Sequence, residues 1–452
     1  MADFAVPGQE SRSPRSPRFW TNLARFALAI LVVSLGAAVF AILFRSAIGF
    51  VFVRLYRAPD VLRAFAALPW YASALLPAMG GALAGVCGAF ASHLKGGAGV
   101  GQVMEAVVLG NVRISLRLTS VKALGSWLAI VSGGSVGREG SIIQFGGGLG
   151  VAAGRLLSLR EGQVRSLVAA GSAAGFAAAY NTPLAAVLFV SEVVTGVIAL
   201  DIVLPAIVAT PIATAVTRLA IGGGPIYGQH TFRMSSDVEI LVPGLLGLLA
   251  GVAGPAFMLL LSRGETWFGK IPASKAVRAA LGGLLVGLLA IRMPEITGNG
   301  YEAINLLLAG RFGLGMMALL AVAKAFATTA SVSSGSPGGV FTPSLFIGAA
   351  LGGIMGHVTD PSNVRHLVEG YALIGMAAMT ASTTHAPVMA AVMVFELSGD
   401  YAIVLPLLIA TALATLVARR IRPLSIYGEE LQRHGMAWDI TIEGRKMRTP
   451  PS

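Results

Sequence analysis

The sequence has few charged side chains for its length. Asp, Glu, Lys and Arg make up only 12% of its 452 residues, whereas a soluble globular domain carries about 25%. Hydrophobic residues account for 55% of the chain. This balance excludes an ordinary soluble domain and indicates a protein that crosses a membrane several times.

Cysteine is nearly absent and histidine is sparse. The single cysteine, Cys87, excludes an intramolecular disulfide and any metal site with several thiolate ligands. The six histidines show no paired spacing of the kind that holds a metal ion. The sequence therefore predicts no cofactor and no metal.

Acidic residues are also scarce relative to basic ones. The chain has 21 Asp and Glu against 33 Lys and Arg, a net charge of +12. Much of the basic excess lies near the two ends, at Arg12, Arg15, Arg18, Arg419, Arg420, Arg422, Lys446 and Arg448. Basic residues concentrate on the cytoplasmic side of membrane proteins. We therefore expect both termini in the cytoplasm, with membrane lipid and an anionic substrate as partners rather than nucleic acid.

Glycine and proline, by contrast, are abundant, with 57 and 22 copies. So many breaks predict interrupted and re-entrant helices, which occur at membrane depth only against protein or a water-filled cavity. The predicted apolar segments are 26–52, 70–93, 117–133, 142–158, 165–190, 200–217, 240–262, 276–292, 314–330, 340–356, 370–397 and 402–418.

The chain divides into four parts. We expect an N-terminal cytoplasmic tail over 1–23, membrane repeats over 24–220 and 221–427, and a short cytoplasmic C-terminal tail over 428–452. A tail of that length holds no regulatory domain. Its shortness favours a prokaryotic protein, and hence a bacterial inner membrane.

An internal repeat supports this division. Gly171, Pro183 and Glu192 recur at an offset of 204 as Gly375, Pro387 and Glu396. The Gly-rich breaks that begin at Gly137 and Gly338 lie 201 residues apart. The pattern predicts an all-α polytopic membrane protein of two inverted-topology repeats with tilted and broken helices. Its substrate site should lie where the two breaks meet.

The break from Gly137 to Ser141 carries Arg138 and Glu139 at what should be membrane depth. An ionisable residue there is costly and marks a functional site by default. If a helix begins near Glu139, its free amides and the positive end of its dipole form an anion site. An acid beside an anion site is the central feature of the sequence.

A hydrolase is the alternative from another class. Gly133-Gly-Ser135-Val-Gly137 matches the pattern G-x-S-x-G, which in hydrolases needs a strand–turn–helix elbow and a His/Asp pair. Because this stretch precedes a membrane helix, we interpret the match as a coincidence and predict that the chain is not an enzyme.

Four stretches in order resemble the CLC family of chloride channels and proton/chloride exchangers. They are Lys95-Gly-Gly-Ala-Gly-Val-Gly-Gln102, Gly137-Arg-Glu-Gly-Ser141, Ser334-Gly-Ser-Pro-Gly-Gly-Val-Phe-Thr-Pro343 and Tyr427. Lys122 stands upstream of the second stretch, as in the family. The resemblance covers about residues 26 to 430 and rests on the order and spacing of several motifs.

The resemblance implies a homodimer with one chloride pathway in each subunit. It assigns Glu139 as the gate and proton acceptor, because a carboxylate can take the place of the anion until protonation removes its charge. It implies that the anion is bound around Gly97, Ala98, Gly99, Gly137, Arg138, Gly140, Val340, Phe341 and Tyr427. Two roles fit Arg138 equally well: it shapes the local electrostatic field, or it binds the anion directly.

The chain departs from the family pattern in three places. Ala98 and Gly101 stand where the first motif has Ser and Pro, Ser141 replaces the Pro that ends the second motif, and Val193 replaces an inward-facing Glu found in exchangers. Val193 favours channel-like, uncoupled flow slightly. A proton/chloride antiporter, a carrier for another anion such as nitrate and an organic-anion carrier remain as alternatives.

Two further groups of residues receive structural interpretations. Glu192 and Glu396 are predicted to cap helix ends in the two repeats rather than to carry protons. Gly146, Gly150 and Gly154 are spaced for close helix packing rather than for dinucleotide binding.

Overall fold

The computed structural model describes residues 17–93, 99–110, 112, 114–224, 226–228, 241–359, 364–433, 438–441 and 444–447. This part of the chain is helical apart from one antiparallel hairpin, β1 Trp438–Thr441 and β2 Gly444–Met447. The helices are α1 Pro17–Arg54, α2 Val61–Ala67, α3 Trp70–His93, α4 Gly99–Leu109, α5 Leu116–Val131, α6 Glu139–Leu156, α7 Glu161–Tyr180, α8 Pro183–Leu188, α9 Leu200–Ile221, α10 Leu241–Gly269, α11 Lys275–Ala290, α12 Tyr301–Leu308, α13 Leu314–Ser333, α14 Phe341–Thr359, α15 Val364–Thr384, α16 Pro387–Ser398, α17 Val404–Ile421 and α18 Ile426–Arg433.

Seven helical stretches in the described part are long and apolar enough to span a membrane. They are Phe19–Arg54, Trp70–Ala91, Leu200–Ile221, Leu241–Gly269, Leu314–Ser333, Phe341–Thr359 and Tyr401–Arg433. The long helices α7 and α15 are not among them. Almost every residue of α7 from Val164 onward is buried, and most are Ala, Gly or Ser. These central helices are enclosed by other helices, so they need small side chains more than strongly hydrophobic ones.

Two segments predicted as single spans are each two helices. The segments 165–190 and 370–397 break at Asn181 and His385, where the backbone is left-handed with φ of 60° and 58°. The next helix begins two residues later with Pro183 or Pro387 at its first position, where a missing N–H costs nothing. The broken helices that the Gly and Pro content predicted are thus present, although the residues that turn the chain here are Asn and His rather than glycine.

The two repeats are visible in the order of the helices. Helices α5 to α9 recur as α13 to α17 at an offset of about 200 residues. The Gly-rich breaks pair directly, since the Gly137 and Gly339 amides each donate to the other's carbonyl at 2.7 Å. The paired glycines are 202 residues apart, one more than the 201 residues that separate the beginnings of the two breaks in the sequence. Because α6 and α14 both begin at this antiparallel bridge, they run away from it in opposite directions, and the predicted inverted all-α fold is confirmed.

Glycines allow the helices next to the breaks to touch. A Cβ at Gly146 would lie 2.0 Å from the Gly171 carbonyl oxygen, and one at Gly150 would lie 2.4 Å from that of Leu167. In the second repeat, a Cβ at Gly352 would lie 1.8 Å from the Tyr371 carbonyl oxygen. The close packing predicted for the first set of glycines is confirmed, and it recurs in the second repeat.

Glu192 and Glu396 cap helices, but across the repeats. The Glu192 carboxylate accepts hydrogen bonds from the amides of Val388 and Met389 at 3.3 and 2.7 Å, at the start of α16. The Glu396 carboxylate accepts from Leu184 and Ala185 at 3.0 and 2.8 Å, at the start of α8. Each repeat therefore supplies the N-terminal cap of a helix in the other.

The repeats differ in length just after these glutamates. In the first repeat, Phe189–Thr195 forms a π-helical turn and the left-handed Gly196 follows Glu192 by four residues. In the second repeat, the corresponding Gly399 follows Glu396 by three. A π-helical turn accommodates one extra residue. Val193 lies within this turn and is 1% exposed.

Candidate anion site

Glu139 is the first residue of α6, as the glycine pattern predicted, and is 2% exposed. Its Oε1 accepts a hydrogen bond from the Thr342 hydroxyl on the second residue of α14. The Thr342 hydroxyl is in turn 2.9 Å from the Tyr180 hydroxyl, at the end of α7. One oxygen of the carboxylate is thus held by the opposite repeat.

The other oxygen of Glu139 has a different environment. Oε2 is buried and has no hydrogen-bond partner in the described part of the chain. A Cβ at Gly137 would lie 2.1 Å from it, and a Cβ at Gly339 would lie 3.3 Å away. The two glycines of the backbone bridge therefore make room for the carboxylate between the N-termini of α6 and α14. Both helix dipoles attract negative charge at that point.

A cavity of about 520 Å³ opens beside this carboxylate. It brings together the predicted gate, Glu139, and five of the residues that were predicted to bind the anion: Gly99, Gly140, Val340, Phe341 and Tyr427. Backbone amides at the starts of α6 and α14, together with a tyrosine hydroxyl, can stabilise a small anion without a cationic ligand.

Other predicted residues lie elsewhere. Gly137 belongs to the backbone bridge and does not line the cavity. Arg138 does not line it either, and its guanidinium donates to the Ala179 carbonyl at 3.4 Å. Gly97 and Ala98 lie outside the described residues. The geometry thus fits the field-shaping interpretation of Arg138 better than direct binding.

Sequence reasoning missed the polar side chains that support the site. The Gly99 amide, at a left-handed φ of 61°, donates to Gln144 Oε1 at 3.3 Å. The Gln144 amide nitrogen donates to Gln102 Oε1. This chain of bonds links the start of α4 to α6. Gln102 and Thr342 both lie within the motifs quoted above. Those motifs were therefore the feature of the sequence from which these two residues could have been identified.

Charged side chains line the cavity away from Glu139. Lys122 on α5 and Glu430 on α18 both face it and interact electrostatically. Two other acids of the wall are ion-paired, Glu429 with Arg422 at 2.8 Å and Glu265 with Arg433. Glu430 lies outside the motifs quoted from the sequence and was not among the predicted site residues.

The second repeat supplies a counterpart of Lys122. Lys324 follows it by 202 residues and is fully buried, and its Nζ donates to the carbonyls of Ile296 and Gly298 at 2.8 and 3.0 Å. It lies over the Phe346 ring at 5.4 Å. A buried lysine bound to two carbonyls stabilises the loop before α12.

A tyrosine is repeated in the same way. Ile226-Tyr227-Gly228 recurs as Ile426-Tyr427-Gly428. Both tyrosines are buried, and both interact electrostatically with Glu139. This tripeptide repeat was a signal in the sequence that the analysis did not use.

Ser135, the candidate nucleophile of the hydrolase alternative, is fully buried. Its hydroxyl lies 3.0 Å from that of Thr328, and its amide donates to the Ser331 hydroxyl at 3.1 Å. In the described part of the chain no His or Asp makes a hydrogen bond with this hydroxyl. Its contacts are those of a residue that joins α13 to the first Gly-rich break.

Comparison with known proteins identifies the family. The family model described as "voltage gated chloride channel" matches residues 80–419. The chain belongs to the CLC family. It is 39% identical over 375 residues to a ClcB-like chloride channel protein of Ralstonia nicotianae, covering 81% of this chain and 87% of that protein. It is 35% identical over 321 residues to the voltage-gated ClC-type chloride channel ClcB of Citrobacter koseri, covering 70% of this chain and 76% of that protein.

A solved CLC structure has the same fold. This structure, of a slow cyanobacterial Cl⁻/H⁺ antiporter, matches with a TM-score of 0.81 at 25% identity, over 91% of this chain and 98% of that one. The CLC chain described here is therefore an integral membrane protein that transports anions through a CLC-type pathway.

Proposed function

We propose that this CLC protein carries chloride across the bacterial inner membrane and that Glu139 is a gate operated by a proton. The observation that supports this most directly is the unpartnered Oε2 of Glu139 between two helix N-termini, at the wall of the cavity. An anion needs the same positive field that the carboxylate occupies.

The gate follows from competition for that field. The ionised carboxylate is attracted by both helix dipoles and excludes the anion. When Glu139 takes a proton its charge disappears, and the amides of Gly140, Val340 and Phe341 become available to chloride. On the cavity side, the hydroxyl of Tyr427 completes the site. Anion passage is thereby linked to pH.

We also propose that the protein is a homodimer in the lipid bilayer, with both termini in the cytoplasm. The basic residues near the two ends favour that orientation. Helices α9 and α17 present exposed apolar side chains, including Leu204, Ile207 and Leu405, on the faces where a second copy and lipid can pack.

The test is chloride efflux from proteoliposomes that contain wild type or Glu139→Gln, across a range of pH. In the wild type we expect efflux to rise as the pH falls, because protonation opens the gate. In Glu139→Gln we expect fast efflux that no longer depends on pH, because the amide has no charge to lose. Glu161→Gln is the matched control, since Glu161 is also the first residue of a helix but is exposed.

Two outcomes would contradict the proposal. If Glu139→Gln keeps the pH response of the wild type, then another group is the gate. If wild type moves neither chloride nor nitrate, then the transport proposal itself fails for this chain.

A further inference from the structure

Four acids line the cavity that reaches Glu139: Glu139 itself, Glu265, Glu429 and Glu430. Glu265 and Glu429 are each ion-paired with an arginine, and a permanent positive partner favours the charged form of a carboxylate. Neither is suited to take up and release a proton. Among the described acids of this wall, Glu430 is the one whose charged partner is a lysine, Lys122, which lines the same cavity, rather than an arginine.

Glu430 is placed to communicate with Glu139. It follows Tyr427 by three residues on α18, so the two side chains lie on one face of that helix. Tyr427 interacts electrostatically with both Glu139 and Glu430. Both carboxylates face the same cavity, which has room for several water molecules between them.

The elements around Glu430 hold it without neutralising it permanently. A Cβ at Gly101 would lie 3.4 Å from its Cδ and 3.5 and 3.6 Å from its two oxygens, so the carboxylate packs on the first turn of α4. That turn presents its positive dipole end to the carboxylate. Lys122 on α5 is the charged side chain that acts on it, and the other charged neighbours on α18, Glu429 and Arg433, are paired elsewhere.

The one acid of the π-helical turn is already bound. Of its residues, Phe189, Val190, Val193 and Val194 are apolar and at most 1% exposed. Its glutamate, Glu192, is bound to two amides of α16. The acid of that turn is therefore committed to capping α16, whereas the cavity that Glu139 lines leads to Glu430.

We infer that Glu430 is the proton-transfer residue on the α18 side of the pathway, exchanging protons between Glu139 and the adjoining solution. The inference rests on the proposed gate. In one cycle the protonated Glu139 gives its proton, through cavity water, to the Glu430 carboxylate. Glu430 then releases it to the solution. The protein then exchanges chloride for protons, although Val193 is apolar.

The experiment follows chloride and proton movement together in proteoliposomes under a chloride gradient. We expect Glu430→Gln to reduce chloride-driven proton movement by about a hundredfold, the usual scale for loss of a positioned proton-transfer group, while chloride efflux continues. Glu430→Asp should restore part of the proton movement because it keeps a carboxylate. Glu429→Gln, one residue away on the same wall, should leave proton movement near that of wild type.

The outcomes separate this inference from the proposed gate. Proton movement unchanged in Glu430→Gln overturns the role of Glu430 and leaves the gate intact. Loss of chloride and proton movement together in both Glu430 variants shows a structural or anion-binding role and also overturns it. A wild-type protein that moves chloride without protons also overturns the role of Glu430. In that case, chloride efflux that depends on pH would still support the gate. Wild type that moves no anion overturns both.

Discussion

At the scale of single residues, the two oxygens of Glu139 have unequal surroundings. One is held by Thr342, and the other is buried beside two glycines without a hydrogen-bond partner. The hydroxyl of Thr342 donates to the carboxylate and so stabilises its ionised form. The proposed gate is therefore held by a residue that stands 203 positions away, in the other repeat.

Removing that donor should loosen the gate. In Thr342→Val we expect faster chloride efflux at neutral pH, and a pH response displaced towards higher pH, because the ionised carboxylate loses a donor. Efflux measured at several pH values checks this. Thr342→Ser keeps the hydroxyl and serves as the control. A Thr342→Val response that coincides with wild type would show that the bond has no part in gating.

Lys324 makes a second prediction at this scale. Lys324→Met keeps most of the buried volume but leaves the carbonyls of Ile296 and Gly298 without their donor. We expect the free energy of unfolding to fall by about 1–3 kcal/mol for the unsatisfied buried groups. Thermal unfolding in detergent measures the loss. Lys270→Met, at an exposed lysine, should change stability little, and an equal loss in both variants would contradict this account.

At the scale of helices, the crossed caps join the two repeats. Each of Glu192 and Glu396 satisfies two amides at the start of a helix that lies about 200 residues away in the sequence. The free amides at a helix start need such partners, and within a membrane water is not available to replace them. The caps therefore fix how the two repeats are placed against each other.

Either cap should be costly to remove. We expect Glu192→Ala and Glu396→Ala each to lower the free energy of unfolding by about 1–3 kcal/mol, with similar values because the two contacts are alike. Glu192→Gln and Glu396→Gln keep one acceptor oxygen and should recover part of the loss. Denaturant unfolding in detergent gives both values. A loss in one variant alone would mean that the caps are not equivalent.

The sequence predicted local features of these helices well. The start of α6 at Glu139 and the glycine packing of α6 follow from short-range patterns. The capping role of Glu192 was predicted too, but not that its partner helix lies in the other repeat. The turns at Asn181 and His385 did not follow, because only tertiary packing makes a non-glycine residue adopt a left-handed backbone there. Thr342 and Glu430 were missed because their roles depend on residues more than 200 positions away or on a cavity wall.

At the scale of the whole molecule, burial explains why hydropathy alone misjudges the spans. The outer helices expose large apolar side chains, whereas α7 and α15 lie inside and carry many small residues. The small side chains let backbones approach closely, which is how helices associate in a membrane. The candidate anion site lies at the starts of α6 and α14, the helices that pack against α7 and α15.

The Gly137–Gly339 bridge and the two crossed caps have one more consequence, which concerns ancestry. These contacts are reciprocal, because each repeat makes the same hydrogen bonds to the other. The same is true of a two-fold symmetric interface between identical subunits. A gene encoding a single repeat would have produced a chain complementary to itself when a second copy inserted upside down. Duplication and fusion of such a gene would join two surfaces that already matched. Later substitutions would then make the two halves unequal, as at Glu139, whose equivalent in the second repeat is Phe341.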